Sequence, residues 1–315
     1  MKKDSGNKAQ KRKGLRVTSR DTELLFALFS ARYLTTEQIQ LLFFRESKGG
    51  RWGRTKACQH RLKLLYEHKL VRRIQRPVKR GEGSSPYLYA LDRKGAEVLM
   101  SERGITVTSS DWQPRTQEEN YPFLDHLLAT TDVRIALLHA CEQRSVTLEE
   151  WMDEKELKSA NMVDHVTITG PQGGELSTAV VPDGYFKICR DEKRAIFFLE
   201  IDLRNVTIAP SLWERRGWTR KVRAYLEYFK SEAYHAKYEG WRARILIITS
   251  GNMRLENLKK ATESIFAEMG KASQDAGDMN RFWFTTFESA LDPTRLLTEP
   301  IWMVAGSATP LALIK

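Results

Sequence analysis

Two apolar segments in the second half of the chain most constrain its fold. The segments "AIFFLEIDLRN" (195–205) and "RARILIITS" (242–250) have the length and composition of buried strands, and a helical pattern lies between them. An amphipathic helix and further strands precede them, and another helix and a strand follow, in the order "YPFLDHLLATTDVRIALLHACEQ", "SVTLEEWM", "DHVTITG", "STAVVPDGYFKIC", then "RLENLKKATESIFAEMG" and "RFWFTTF". This order predicts an α/β (α+β) domain with a mixed sheet flanked by helices.

Residues 16–105 show a different pattern, three short amphipathic helices followed by two strands. Apolar residues at helical spacing predict helices in "SRDTELLFALFSARYL", "LTTEQIQLLFF" and "TKACQHRLKLLYEHKLV". We expect Ser19 or Asp21 to cap the first helix and Thr35 or Thr36 to cap the second. "LVRRIQRPV" and "YLYALD" flank the turn "KRGEGSSP", which predicts a hairpin before a closing helix. This order predicts a winged helix-turn-helix, whose third helix enters the DNA major groove.

The charge of the chain is concentrated in this first region. The net charge is +11, but residues 1–103 hold 25 Lys and Arg against 10 Asp and Glu, so that the remainder is slightly acidic. A basic region on a near-neutral body is the charge distribution expected of a nucleic-acid-binding module. The candidate contacts with double-stranded DNA lie at the end of the basic loop before the third helix, on that helix and on the hairpin: Arg54, Lys56, Gln59, His60, Lys63, Arg72, Arg73, Lys79 and Arg80. A protein-docking role for the same module is the alternative.

The domain boundaries follow from these patterns. We expect a disordered basic tail (1–15), the winged helix (16–105), a polar linker (106–119) and the α/β domain (120–315). No apolar run is long enough for a membrane span, and the basic N-terminus lacks the apolar segment of a secretory signal. The three cysteines show no paired spacing, which favours a reducing cytoplasm over a zinc site. A homodimer is an open expectation.

Three carboxylates mark the candidate site of the α/β domain. Side chains alternate along a strand, so Glu200 and Asp202 should share one face. A charged turn at 190–193 makes the preceding strand a hairpin partner, which brings Asp183 beside Glu200. Neighbouring carboxylates need a cation, protons or basic partners. Mg²⁺ accepts such oxygen ligands and is the one cofactor that we consider.

The quoted motifs carry two resemblances. Pro182-Asp183 and Glu200, in this order of elements, resemble the PD-(D/E)xK fold of restriction endonucleases, in which the Asp and Glu hold Mg²⁺ and a Lys positions the attacking water. Asp202 stands where that Lys is expected. The whole chain is similar to the replication-relaxation family of bacterial plasmids and mobile elements, through "HRLKLLYEHKLVRR", "YLYALDRKGAEVL", "HLLATTDVRIAL", "VPDGYF", "FLEID" and the helix with Lys221 and Tyr225. This similarity implies a DNA-binding protein of plasmid replication or DNA relaxation, without itself implying catalysis.

The missing Lys leaves three interpretations open. Lys187 or Lys221 could replace it, and Asp183, Glu200 and Asp202 would then be the metal ligands and catalytic residues of a Mg²⁺-dependent endonuclease. The second interpretation is a metal site without activity, and the third is a structural charge network. We expect a double-stranded DNA-binding protein with a degenerate nuclease-like domain, whose partners are replication or conjugation proteins. The alternatives are an endonuclease or nickase, and a winged-helix transcriptional regulator with a partner-sensing C-terminal domain.

Overall fold

The computed structural model describes residues 15–45, 50–75, 86–108, 124–169, 173–204, 208, 217–269 and 274–314. The chain divides into two compact units, unit 1 (1–128) and unit 2 (129–315). The boundary falls inside a helix, whose first residues group with unit 1. The predicted linker lies mostly among residues outside the described ranges, so the domain boundaries 16–105 and 120–315 stay predictions.

Unit 1 contains four helices and three strands in its described part. Along the chain they are α1 (Ser19–Ala31), β1 (Leu34–Thr35), α2 (Thr36–Phe43), α3 (Gly50–Glu67), β2 (Val71–Gln75), β3 (Tyr87–Leu91) and α4 (Arg93–Arg103). The strands form one antiparallel sheet in the order β1-β3-β2. The core of this unit buries leucines of α1 and α3: Leu24, Leu25, Leu28, Leu62 and Leu65.

The starts of the first two helices are fixed by capping boxes. Thr18, not Ser19 or Asp21, caps α1, because its side chain accepts a hydrogen bond from the Asp21 backbone while the Asp21 carboxylate accepts one from the Thr18 backbone. Thr35 caps α2 in the same way with Gln38, as predicted. The Asp21 carboxylate also accepts a hydrogen bond from Arg61 Nε of α3 at 2.8 Å, so this buried side chain both completes the capping box of Thr18 and anchors α3.

Unit 2 is built around a six-stranded mixed sheet. Its helices are α5 (Leu124–Gln143, shared with unit 1), α6 (Glu154–Ser159), α7 (Trp218–Lys230), α8 (Glu232–Tyr238), α9 (Asn252–Met269) and α10 (Phe287–Ala290). Its strands are β4 (Thr147–Asp153), β5 (Asp164–Thr169), β6 (Glu175–Val180), β7 (Gly184–Arg190), β8 (Lys193–Asp202), β9 (Arg244–Thr249), β10 (Phe282–Thr286) and β11 (Met303–Val304). The main sheet has the order β11-β10-β9-β8-β7-β4, with β8, β9 and β10 parallel to one another.

The central strands are buried on both faces, which explains their continuous apolar sequence. Ile196 and Phe198 of β8 face one core, which includes residues of α7, α8 and α9, whereas Phe197 and Leu199 face the other, which includes residues of α5 and of the C-terminal segment. The predicted α/β class with a mixed sheet is confirmed. No helix in the described part of the chain is both long and apolar enough to cross a membrane.

Two strand predictions are wrong in detail. The segment "STAVVPDGYFKIC" is not one strand, because β6 ends before Pro182-Asp183 and β7 begins at Gly184. Strands β5 and β6 pair with each other in a separate two-stranded sheet instead of joining the main one. Proline cannot donate a backbone hydrogen bond to a ladder, which is consistent with a break at this position.

Candidate functional site

The β7–β8 hairpin positions the predicted carboxylates. Its turn residues Asp191 and Glu192 both have positive φ, as the tight turns of hairpins require, and Gly184 pairs with Leu199 across the two strands. Asp183 therefore lies opposite Glu200. Its backbone N–H donates to Leu199 O at 2.9 Å, and its Oδ2 accepts from the Ile201 backbone N–H at 2.7 Å. Asp183 is thus held to the end of β8 by backbone contacts.

Glu200 is buried and engaged through both carboxylate oxygens. Tyr225 donates its hydroxyl hydrogen to Oε1, and Lys221 Nζ makes an ion pair with Oε2. Lys221 and Tyr225 are four residues apart on α7 and so lie on one face of the helix. Only 3% of the Glu200 side chain is exposed, against 34% for Lys221. Helix α7 therefore supplies a cation and a hydroxyl to one strand carboxylate.

The pKa values of this group follow from burial and from its charges. Burial raises the pKa of Glu200 to about 7, against the opposing charge of Lys221 and with a further increase from the neighbouring Asp183 carboxylate. Burial by itself would lower the pKa of Lys221, but the Glu200 and Asp183 carboxylates outweigh it and raise that pKa. Lys221 is therefore a stable cation at neutral pH, while Glu200 takes up a proton near pH 7.

Asp202 is also buried, and its partners come from outside the hairpin. Arg254 donates from Nε to Oδ2 at 2.8 Å and from Nη2 to Oδ1 at 3.0 Å, which is a forked contact. The Thr249 hydroxyl, at the end of the neighbouring parallel strand β9, donates to Oδ2 at 2.8 Å. The Asp that stands in place of the expected Lys is thus neutralised by an arginine of α9.

The two lysines that were predicted as replacements for the missing Lys lie in different environments. Lys221 pairs with Glu200, whereas Lys187 lies 3.6 Å from Glu149 of β4, with its Nζ over the Trp241 ring. Arg204 donates to the Ser250 hydroxyl at 2.8 Å.

The donor set does not fit a metal ion in this arrangement. A Mg²⁺ ion takes oxygen ligands in near-octahedral geometry and competes with side-chain cations for the same carboxylates. Both oxygens of Glu200 and both of Asp202 accept hydrogen bonds from protein side chains, and two of the donor residues, Lys221 and Arg254, each carry a positive charge. Within the described ranges, no group of three or more His, Cys, Asp and Glu residues could hold a metal ion. The three carboxylates and their partners Lys221, Tyr225, Thr249 and Arg254 are called the carboxylate network below.

The candidate DNA contacts of unit 1 lie mainly on α3. Lys56, Gln59, His60 and Lys63 are exposed, while Cys58, Leu62 and Leu65 of the same helix are buried. Lys63 lies 3.9 Å from Glu67, a weak exposed pair. Arg54 is half-buried and donates to the Arg45 backbone carbonyl at 3.3 Å. The helix therefore has one face in the core and one polar face towards solvent.

The hairpin residues differ from one another. Arg72 is half-buried, and its Nε is buried without a hydrogen-bond partner in the part of the chain that is described. Arg73 is exposed, with its guanidinium carbon over the rings of Tyr66 and Tyr87. Lys79 and Arg80 lie outside the described residues.

Arg254 and Thr249 were not identified from the sequence. The sequence signal was the buried strand "RARILIITS", which follows a helix and therefore pairs parallel to the strand that ends at Asp202. In a parallel pair, its end and the start of the next helix lie at the same sheet edge as Asp202. Tyr66 and Tyr87 were missed as partners of Arg73, because they belong to different elements and no local pattern joins them.

The sequence profile of the replication-relaxation family matches residues 25–244, well over half of the chain. The chain belongs to this family. The matched range contains Asp183, Glu200, Lys221 and Tyr225, whereas Arg254 lies beyond it. Membership in the replication-relaxation family indicates a role in plasmid or mobile-element replication or relaxation. No match was found among curated proteins or among solved structures.

Proposed function

We propose that this replication-relaxation protein binds double-stranded DNA through unit 1, with α3 as the recognition helix of a winged helix-turn-helix. The observation that carries the proposal is the outer face of α3, where Lys56, Gln59, His60 and Lys63 are all exposed. Lysines there supply affinity through phosphates, and Gln59 and His60 have hydrogen-bonding groups that can read base edges. The order of elements in unit 1, from α1 to α4, supports the same proposal.

The core side of α3 supports a reading role, because the helix is held rigidly. Cys58, Leu62 and Leu65 are fully buried, and Arg61 pairs with the buried Asp21. A contact surface on an anchored element loses little conformational entropy when DNA binds. The neighbouring hairpin adds Arg72 and Arg73 on β2.

In the same proposal, unit 2 has a PD-(D/E)xK-like architecture but acts through interactions and not through phosphodiester cleavage. The supporting observation is that the Glu200 and Asp202 carboxylates are occupied by Lys221, Tyr225, Thr249 and Arg254. The partners of such a unit are replication or conjugation proteins, or a second copy of the chain.

The test of DNA binding is fluorescence anisotropy with a labelled duplex across a series of salt concentrations. The Lys56→Ala, Lys63→Ala double variant should bind more weakly, and its log–log salt slope should fall by about 1.8, because each phosphate contact contributes about 0.9. Lys260→Ala removes an exposed lysine of α9 in unit 2 and serves as the matched control. A wild-type chain without duplex binding, or an equal loss in the control, contradicts the proposal.

Metal-dependent nicking is the second candidate, and the position of Lys221 favours it. Its Nζ pairs with Glu200 and lies close enough to Asp183 to be influenced by its charge. In this candidate function, Lys221 of α7 replaces the catalytic Lys whose strand position is occupied by Asp202. Cleavage would require Glu200 to exchange Lys221 and Tyr225 for a metal ion. Supercoiled plasmid is incubated with the protein in Mg²⁺ and in Mn²⁺. Nicking by the wild type that is lost in both Asp183→Ala and Glu200→Ala establishes the nuclease. If the wild type nicks the plasmid in neither Mg²⁺ nor Mn²⁺, the interaction role is supported.

A further inference from the structure

Arg73, at the base of the hairpin of unit 1, lies over two aromatic rings. The Arg73 guanidinium carbon lies 4.7 Å from the centroid of the Tyr66 ring and 4.4 Å from that of the Tyr87 ring. Both distances are within the range of a cation–π contact, about 6 Å. Tyr66 is an exposed residue in the last turn of α3, and Tyr87 is the first residue of β3, so the two rings belong to different elements.

All three side chains are at the surface. Tyr66 is 42% exposed and Tyr87 is 36% exposed, and Arg73 itself is exposed. Among the described residues, Arg73 makes neither a hydrogen bond nor an ion pair, so its five N–H donors are available at the edge of the guanidinium plane.

Another stacked arginine of the same unit shows the contrast. Arg103 lies over the Phe26 ring at 4.3 Å, but it also pairs with Glu23. Its charge therefore has an internal partner, and its stacking belongs to the fold. Arg73 is stacked on two rings without such a partner, which is the arrangement of a preorganised anion-binding group.

We propose that Tyr66 and Tyr87 position Arg73 to bind a DNA backbone phosphate. An arginine side chain in water loses considerable rotamer freedom when it binds, and two aromatic contacts remove part of that loss beforehand. The edge of a guanidinium group forms forked hydrogen bonds with phosphate oxygens. In this proposal, the tyrosine rings contact Arg73 and do not contact the nucleotide. This inference rests on the proposed DNA-binding function, and it assigns a role to two residues outside the recognition face.

The test is a double-mutant cycle on duplex affinity in the full chain. The Tyr66→Leu, Tyr87→Leu variant should bind about tenfold more weakly, since each ring contributes an exposed cation–π contact. In the Arg73→Ala background, the same two changes should have no further effect. The Tyr66→Phe, Tyr87→Phe variant keeps both rings and should bind as the wild type does. Phe26→Leu, which removes the ring under Arg103, is the matched control and should leave the affinity unchanged.

The outcomes separate the possible roles. A loss of equal size in both Arg73 backgrounds overturns the positioning role, and a loss in the Phe variant shows that the hydroxyls contact DNA directly, which also overturns it. Thermal unfolding of each variant checks the fold, and the single Tyr87→Leu variant replaces the pair if the pair does not fold. Wild-type protein that does not bind DNA overturns the proposed function and this inference with it. Wild-type binding without coupling overturns this inference alone.

Discussion

The polar face of α3 and the carboxylate network of unit 2 differ in how their charged and polar groups are paired. On α3, the side chains of Lys56, Gln59 and His60 are exposed and form no hydrogen bond with the described part of the protein. In unit 2, Glu200 and Asp202 are buried, and each of their carboxylate oxygens accepts a hydrogen bond from a protein side chain. Both regions were predicted as functional from charged residues in a pattern. The difference teaches that the partners of a charge, and not its presence alone, distinguish the exposed surface proposed to bind DNA from the buried carboxylate network.

The largest expected effect comes from leaving one carboxylate without its cation. Arg254→Ala leaves Asp202 buried and uncompensated, so the free energy of unfolding should fall by about 3–5 kcal/mol. Arg295→Ala breaks an exposed pair with Glu299 and should cost less than about 1 kcal/mol. Urea unfolding monitored by circular dichroism measures both. Equal losses would mean that burial does not distinguish the carboxylate network from a surface pair.

The pH dependence of stability should have opposite signs at Glu200 and at Asp21. Burial raises the pKa of Glu200 to about 7, so its stabilising contribution is complete below about pH 4.5 and is lost as the pH rises through 7. Burial would also raise the pKa of Asp21, but hydrogen bonds from Arg61 and Thr18 lower it, so its contribution is lost as the pH falls below its ordinary value of 3.8.

Thermal unfolding from pH 3 to pH 8 checks both signs. Glu200→Gln should flatten the profile between pH 4.5 and 7, and Asp21→Asn should flatten it at the acid end. Profiles that coincide with that of the wild type would contradict the assignment of these two carboxylates.

Sequence reading by α3 should have a smaller effect. Gln59→Ala should relax discrimination at one base pair by about 1–3 kcal/mol, because it removes one base-edge contact and leaves the phosphate contacts in place. Competition binding with a randomised duplex library measures the preference. Uniform weakening at all sequences would assign Gln59 to the DNA backbone instead.

The smallest expected effect on stability is at Lys63. Its pair with Glu67 is exposed and 3.9 Å long, so Lys63→Ala should change the free energy of unfolding by less than about 0.5 kcal/mol. The log–log salt slope of DNA binding should nevertheless fall by about 0.9. A stability loss without a change of slope would place Lys63 with the paired charges of the fold.

The sequence by itself determined the features that depend on local periodicity. Alternation along β8 puts Glu200 and Asp202 on one side of the sheet, and the charged turn sets the register that brings Asp183 opposite Glu200. Helical spacing separated the buried and exposed faces of α3, and the buried strands gave the α/β class. These features follow because neighbouring residues in a regular element have fixed directions, whatever the rest of the chain does.

Only the tertiary structure decided which charges meet. Arg254 is 52 residues from Asp202 in the chain and reaches it because α9 follows a strand parallel to β8. Lys221 and not Lys187 pairs with Glu200, since α7 packs over that face while Lys187 meets Glu149 on β4. The tertiary structure also decided that β5 pairs with β6 in a separate sheet and that the Tyr66 and Tyr87 rings contact Arg73. Such contacts depend on the packing of elements that are distant in sequence, and local patterns carry no information about that packing.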